Sequence, residues 1–352
     1  MKIIDLMIYC GVLCVFLCAC SANQLGKTRS LGDASPLPVQ ELITFDNAGS
    51  VVLLRSLDIP DYLRGELSQC SLDFSPDGQL LVAACGLNAV PVWDVNSWEV
   101  RYSLYKDDPA QIVACAFSPD GKSIACGGFD NVITLWNVAS GERIRELGSS
   151  KSPIWELAFS PDGRKIASAS FSDDICLWDV KSGSMLWVTT GLKGILSVTY
   201  NSSDETIAYG TRLLNRAGIL NAARGEVLST LSGPPDNVGD IEASPDGALI
   251  AAGCDDNKVY LWNSNDYQPV GILAGHSGYV NGVGFNPDGT LLASGSHDKT
   301  VGIWDVIGKK HLVSLPGHED VVLRVEFSPD GKFLASISWD GTVKVWGVKS
   351  GN

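Results

Sequence analysis

The chain has 352 residues, with 26 Lys and Arg against 40 Asp and Glu, a net charge of −14. That balance argues against a nucleic-acid backbone as partner and against direct docking on anionic lipid, since both demand a basic face. Its plain meaning is solubility, and a chain this long would ordinarily suggest two domains.

The first twenty residues are a different material from the rest. "MKIIDLMIYCGVLCVFLCAC" has one early Lys and then an apolar run, which reads as a targeting segment with residues 1–19 as the signal peptide. It ends in Leu17-Cys18-Ala19-Cys20, which resembles the bacterial lipoprotein signal, and the resemblance implies that Cys20 receives lipid. The alternatives are an uncleaved membrane anchor and plain secretion, although the apolar run is short of the roughly 20 residues that a spanning helix needs. Residues 20–41 are polar and rich in Gly, Ser and Pro, which reads as a flexible tether. Either anchor places residues 42–352 on the extracytoplasmic side of a cell membrane or envelope.

The next segment, "ITFDNAGSVVLLRSL", lines up with "ITLWNVASGERIREL" further on. Val51 to Leu57 therefore reads as the last strand of a unit whose other strands lie elsewhere. Those units are marked by a turn. "FSPDG" begins at Phe74, Phe117, Phe159 and Phe327, with near-copies at Ala243 and Phe285 and a worn one at Tyr200. Pro fixes φ, and Gly takes the position that requires φ > 0. A second marker keeps step: Trp93, Trp136, Trp178, Leu220 where a Trp is due, Trp262, Trp304 and Trp346. Both markers recur every 41 to 43 residues and agree on seven units.

Each unit reads as four strands of about five or six residues separated by three turns, with no helical period over about a dozen residues. A unit of this size cannot bury both its faces alone and must stack on its neighbours. The chain ends shortly after Trp346, so the seventh unit supplies three strands and Val51 to Leu57 supplies the fourth. That closure removes an exposed sheet edge and makes the units one domain.

The spacing and the Trp-Asp dipeptides at Trp93, Trp178 and Trp304 resemble the WD40 family. The resemblance implies an all-β, seven-bladed propeller. It also implies a buried hydrogen-bonded set in each blade, made of a His, a Ser, an Asp and the Trp. Two blades match it in full: His276, Ser294, Asp298 and Trp304, then His318, Ser336, Asp340 and Trp346. Blade 3 keeps Ser168 and Trp178, blade 2 keeps Asp130 and Trp136, and blade 5 keeps Asp256 and Trp262. Blade 1 lacks the polar set. Blade 4 lacks the Trp as well and is the expected weak point.

Catalytic, cofactor and metal sites are not expected. Of the four histidines, two belong to the structural sets, and His297 and His311 stand in a turn and an outer strand. The acidic pairs lack the alternating oxygen ligands of a calcium loop, and no phosphate-binding Gly loop is present. Cys70, Cys85, Cys115, Cys126, Cys176 and Cys254 have no CxxC spacing. They read as small buried core residues rather than disulfides, with Cys115 and Cys126 on opposite faces of their hairpin.

Family resemblance points instead to a protein-binding face, formed by the inter-blade loops and the turn before each Trp strand. The residue seven before each Trp marker gives Gly86, Phe129, Phe171, Leu213, Asp255, His297 and Trp339, and the loops into the blades add Trp155, Leu196, Tyr279 and Leu323. This face is apolar and aromatic for so acidic a chain, and exposed aromatics favour interfaces. The expectation is a monomeric, membrane-anchored, non-catalytic platform for protein partners. An envelope assembly subunit and a small-ligand or glycan sensor using the central channel are the alternatives.

Overall fold

The structure is a computed structural model that describes residues 40–59, 69–87, 89–105, 110–171, 173–214 and 216–349. The leader, Cys20 and nearly all of the tether lie outside these residues. Among the described residues no helix is long and apolar enough to cross a membrane.

The repeating turns form as their chemistry dictates. Gly78, Gly121, Gly163, Gly247, Gly289 and Gly331 all sit at φ between 68° and 71°, and in the worn turn Asp204 takes that conformation at φ 60°. The serine locks each turn from inside. Ser75 Oγ donates to Asp77 Oδ1 at 2.6 Å and accepts the Leu80 amide at 2.9 Å. Ser118, Ser160, Ser244 and Ser328 repeat the pattern.

Seven antiparallel sheets follow in order around a ring, six of four strands and one, in blade 2, of five, making a seven-bladed β-propeller. The first strand of each blade packs against the first strands of its neighbours. Blade 7's first strand (Val322–Phe327) touches those of both blade 6 (Val280–Phe285) and blade 1 (Ser71–Phe74), so the ring is closed. First strands therefore line the central channel. Fourth strands, such as Arg143–Ser149, form the exposed rim.

Closure comes from the N-terminal strand. Val51–Asp58 runs antiparallel to Thr342–Val348, with Val51 opposite Val348 and Leu57 opposite Val343. It completes the sheet of blade 7. The Ile43 amide adds a bond to the Gly331 carbonyl at 2.9 Å.

The apolar core is not one mass but a ring of layers, each shared by two adjacent blades. The layer between blades 7 and 1, for instance, joins Ile337, Val343 and Val345 to Leu72, Leu81 and Trp93. Layers of this kind also join blades 1 and 2, 2 and 3, 3 and 4, 4 and 5, 5 and 6, and 6 and 7. This is the stacking that a single unit's small size demands.

Blade 4 is repaired rather than empty. Leu220 replaces the Trp, and Tyr209 stands where blades 3, 6 and 7 carry Ser168, Ser294 and Ser336. Tyr209 is buried, and its ring lies so close to Gly218 that a Cβ there would meet Tyr209 Oη at 2.5 Å. In blade 6 the corresponding Gly302 faces His276, Ser294 and Trp304. One aromatic ring has thus moved to the neighbouring strand and fills the space of the polar set.

Two expectations about cysteine are corrected. Cys70 and Cys85 are joined by a disulfide, with Cα atoms 4.6 Å apart, at the open end of blade 1's inner hairpin. Cys115 and Cys126 do not point to opposite faces. They are direct register partners on adjacent antiparallel strands, and such partners always share a face. Cys115, Cys126, Cys176 and Cys254 are buried thiols.

Candidate functional site

In blades 6 and 7 the four polar side chains form one chain of hydrogen bonds. Trp304 Nε1 donates to Ser294 Oγ at 2.7 Å, and His276 lies 2.7 Å from that oxygen through Nε2 and 2.8 Å from Asp298 Oδ2 through Nδ1. Blade 7 repeats this with Trp346, Ser336, His318 and Asp340 at 2.8, 2.7 and 2.8 Å. Burial pushes both histidines below their usual range, against the pull of the aspartates. Burial works the other way on Asp298, but donors from Thr300, the Ser277 amide and His276 outweigh it and hold the carboxyl at about 2. Neutral imidazole beside ionised carboxylate fixes the direction of each bond. His Nδ1–H donates to Asp, the Ser hydroxyl donates to His Nε2, and Trp donates to Ser. Blade 3 keeps the end of the chain, with Trp178 Nε1 donating to Ser168 Oγ at 2.9 Å. In blade 5 Trp262 Nε1 turns to the Ser232 carbonyl at 2.8 Å. In blade 2 the buried Trp136 Nε1 has no partner. These sets are structural and offer no open position for substrate.

The residues expected on the binding face fall into two aromatic groups. Phe129, Trp155 and Phe171 form one, with Trp155 between the others at centroid distances of 5.5 and 5.7 Å. Tyr279, His297 and Trp339 form the second, at 5.1 and 5.9 Å. Exposure divides the set. Leu213 is 61 % exposed, Phe171 42 % and Tyr279 41 %, whereas Trp155 is only 9 % exposed. Leu323 is buried in the layer between blades 7 and 1, and Trp339 packs against that layer. Phe129, Leu196 and His297 are half-buried. Asp255 is buried and accepts from Asn237 Nδ2 at 2.8 Å. Gly86 belongs to a two-residue strand, Gly86–Leu87, that pairs with blade 2 opposite Ile112 and Gln111.

The WD domain, G-beta repeat family matches residues 63–94, 99–137, 141–179, 225–263, 267–305 and 309–347. The chain belongs to the WD40 family. The matched segments leave out residues 180–224, which hold the first three strands of blade 4, the blade whose Trp and Ser are replaced. No curated protein matches the chain.

The WD40 propeller holds a second set of polar residues that reading the repeat markers missed. Arg324 of blade 7 reaches across the central channel to ion-pair with Glu156 of blade 3 and Asp240 of blade 5. Ser197 Oγ donates to Asp240 Oδ1 at 2.7 Å. Two residues beyond Asp240 and Arg324 stand Glu242 and Glu326, and Asp73 takes the same place on the first strand of blade 1. Asp73 accepts the Phe117 amide at 2.6 Å and Glu242 the Phe285 amide at 3.1 Å. These side chains keep a little surface open to the channel, yet protein encloses them. Burial, opposed by the Phe117 and Phe74 amides, raises Asp73 to about 7. Burial, opposed by Arg324, raises Glu156 to about 7. Burial and then a neighbouring carboxylate push Glu242 and Glu326 well above the usual range. Five carboxylates thus surround one guanidinium. Among the described residues no group of three His, Cys, Asp or Glu is placed to hold a metal ion. A signal was available: all these charges lie one or three residues before the turn's first residue, where strand alternation directs them to the channel.

Proposed function

We propose that this WD40 propeller is a non-catalytic platform that binds a protein partner through the face carrying Phe171, Leu213 and Tyr279, and that the chain is held at a membrane surface by lipid on Cys20. The observation that carries the reading is the exposure of these three large apolar side chains, two of which, Phe171 and Tyr279, are backed by the less exposed rings of their own aromatic groups. Large rigid side chains with packed support bury much apolar area at low entropic cost.

The chemistry of the partner follows from the surroundings. The turn of Phe171 and the loop before blade 4 are joined, since the Gly194 amide donates to Asp173 Oδ1 at 2.5 Å and the Arg212 amide donates to the Gly194 carbonyl at 2.7 Å. Lys151, Lys193 and Arg216 are exposed in this sector, and Arg212 is half-buried. On a chain of net charge −14, this local run of cations suits an acidic segment with apolar anchors. The channel is less suited to a ligand, because Arg324 spans it.

The test is crosslinking in the native membrane, with the attached protein identified and its recovery compared between the parent chain and Leu213→Asp. A large loss of recovery supports the face, and unchanged recovery refutes it. For the anchor, Cys20→Ser should leave the membrane pellet; retention there with normal maturation would favour an uncleaved helix.

A further inference from the structure

Blade 2 opposes two cysteines at a position where the other blades do not. Its first strand, Gln111–Phe117, pairs with its second, Ser123–Gly128, and Cys115 stands directly across from Cys126. The same register position holds Leu157 and Ser168 in blade 3, Val283 and Ser294 in blade 6, and Val325 and Ser336 in blade 7. The fold therefore asks for an apolar residue and a small one, not for two thiols.

The ladder also sets the geometry between them. The Ser118 amide donates to the Ser123 carbonyl at 2.8 Å, which makes these two a hydrogen-bonded pair. Bonded and non-bonded pairs alternate along an antiparallel ladder. Phe117 and Ile124 are then non-bonded, Ala116 and Ala125 bonded, and Cys115 and Cys126 non-bonded. Non-bonded partners have Cα atoms about 4.5 Å apart, inside the span of a disulfide. Blade 1 shows this kind of site in use. There the Ser75 amide donates to the Leu80 carbonyl, and the same alternation makes Cys70 and Cys85 a non-bonded pair, with a Cα separation of 4.6 Å and a bond between the sulfurs.

We propose that Cys115 and Cys126 are the site of a second cross-strand disulfide, formed while the chain folds. The two thiols lose two protons and two electrons, and a small-molecule disulfide of the glutathione class takes them up. One cysteine thiolate attacks the small disulfide, forming a mixed disulfide and releasing one thiol. The other cysteine's thiolate then displaces the second thiol and closes the Cys115–Cys126 bond. The timing follows from burial. Both cysteines lie in the layer between blades 1 and 2, and burial raises the Cys115 thiol far above its usual range. The thiolate is the nucleophile, so exchange proceeds before that layer packs. The bond would clamp the blade whose Trp136 lacks a hydrogen-bond partner, beside a blade that already carries a clamp. The two inner hairpins are tied, with Ser71 Oγ donating to the Cys115 carbonyl at 2.9 Å.

Trypsin separates the outcomes. Lys122 lies between Cys115 and Cys126, whereas no Lys or Arg lies between Cys70 and Cys85. The full chain is refolded in reduced and oxidised glutathione, free thiols are blocked in denaturant, and the digest is read by mass spectrometry without reduction. The expected result is peptide 107–122 joined to peptide 123–143. Oxidant added to the already folded, reduced chain should form the link at least about tenfold more slowly. Recovery of both peptides singly, each with a blocked cysteine, overturns the proposal when Cys70–Cys85 has formed in the same sample. A link from either cysteine to Cys176 or Cys254 overturns it as well. Cys126→Ser, which installs the residue found at Ser168, should fold and leave Cys115 blocked. A crosslinked Cys115 in that variant would contradict the assigned pairing.

Discussion

Blades 6 and 7 and blades 1 and 2 have the same strands, turns and buried Trp, yet are secured by different chemistry. In blades 6 and 7 a Trp–Ser–His–Asp chain of hydrogen bonds ties the second and third strands to the loop that enters the blade. Blades 1 and 2 lack that chain and place cysteines on the inner hairpin instead, bonded in blade 1 and facing one another in blade 2. Blade 4 uses neither and fills the space with Tyr209. A filled interior and a held inner hairpin are thus reached through different residues in blades 6 and 7, in blade 1 and in blade 4.

Breaking the polar chain should have the largest effect. Asp340 accepts from His318, from the Glu319 and Thr342 amides and from Thr342 Oγ1. Asp340→Ala orphans the buried His318 Nδ1 and three further donors at once and should cost about 3–5 kcal/mol in chemical denaturation. A cost near zero would mean that blade 7 does not depend on its polar set. The corresponding experiment in blade 1 removes sulfur. Cys70 and Cys85 are separated by 15 residues, and a loop of that length is worth about 3 kcal/mol. The paired change Cys70→Ser and Cys85→Ser should lower stability by about that amount, with the parent chain under reductant showing the same loss.

Restoring the family's Trp to blade 4 sharpens the comparison from the other side. Leu220→Trp places a second large ring where Tyr209 already lies and should destabilise by about 1–3 kcal/mol. Combining it with Tyr209→Ser, which returns the serine of blades 3, 6 and 7, should recover most of that loss. If the single change stabilises instead, Tyr209 does not fill the Trp space.

The smallest effect is one of pH, and it sets the channel against the histidine blades. Asp73 and Glu156 are raised to about 7, above the ordinary carboxyl range of about 4. Their contribution to stability is fully present below that unfolded value and is lost as pH rises through 7. His276 and His318 are lowered, so their contribution is lost as pH falls below about 6.5, where the unfolded imidazole takes up a proton. The melting temperature should therefore rise modestly from pH 8 to pH 6.5 and level off or fall below pH 6. Arg324→Met, which leaves the five channel carboxylates without their cation, should steepen the first part. A flat profile between pH 8 and 6.5 in both proteins would contradict the channel assignment.

The ring, the worn blade and the closing strand were legible in the sequence because they rest on markers that repeat at fixed spacing, the Pro-Asp-Gly turn and the Trp. Pairing across strands was not. Whether Cys115 and Cys126 share a face depends on the length of the turn between them, and an error of one residue there reverses the answer. The Tyr209 repair was hidden because the compensating residue lies on the strand beside the missing Trp. The channel charges were hidden because Arg324, Glu156 and Asp240 meet only when the ring closes, although their alternate placement on first strands could have flagged them. On the proposed binding face, composition pointed to Trp155 and Phe171 alike, and only burial distinguishes the supporting ring from the exposed one.

That distinction supplies the most direct test of the proposed function. Phe171→Ala and Trp155→Ala should be compared for melting temperature and for partner recovered by crosslinking in the native membrane. The account predicts that Phe171→Ala loses most of the recovered partner at a nearly unchanged melting temperature, an effect of about 2 kcal/mol or more on binding. Trp155→Ala should instead lower the melting temperature markedly, by about 3–5 kcal/mol of stability. Full recovery of the partner by a stable Phe171→Ala variant would contradict the claim that this face is where the propeller binds.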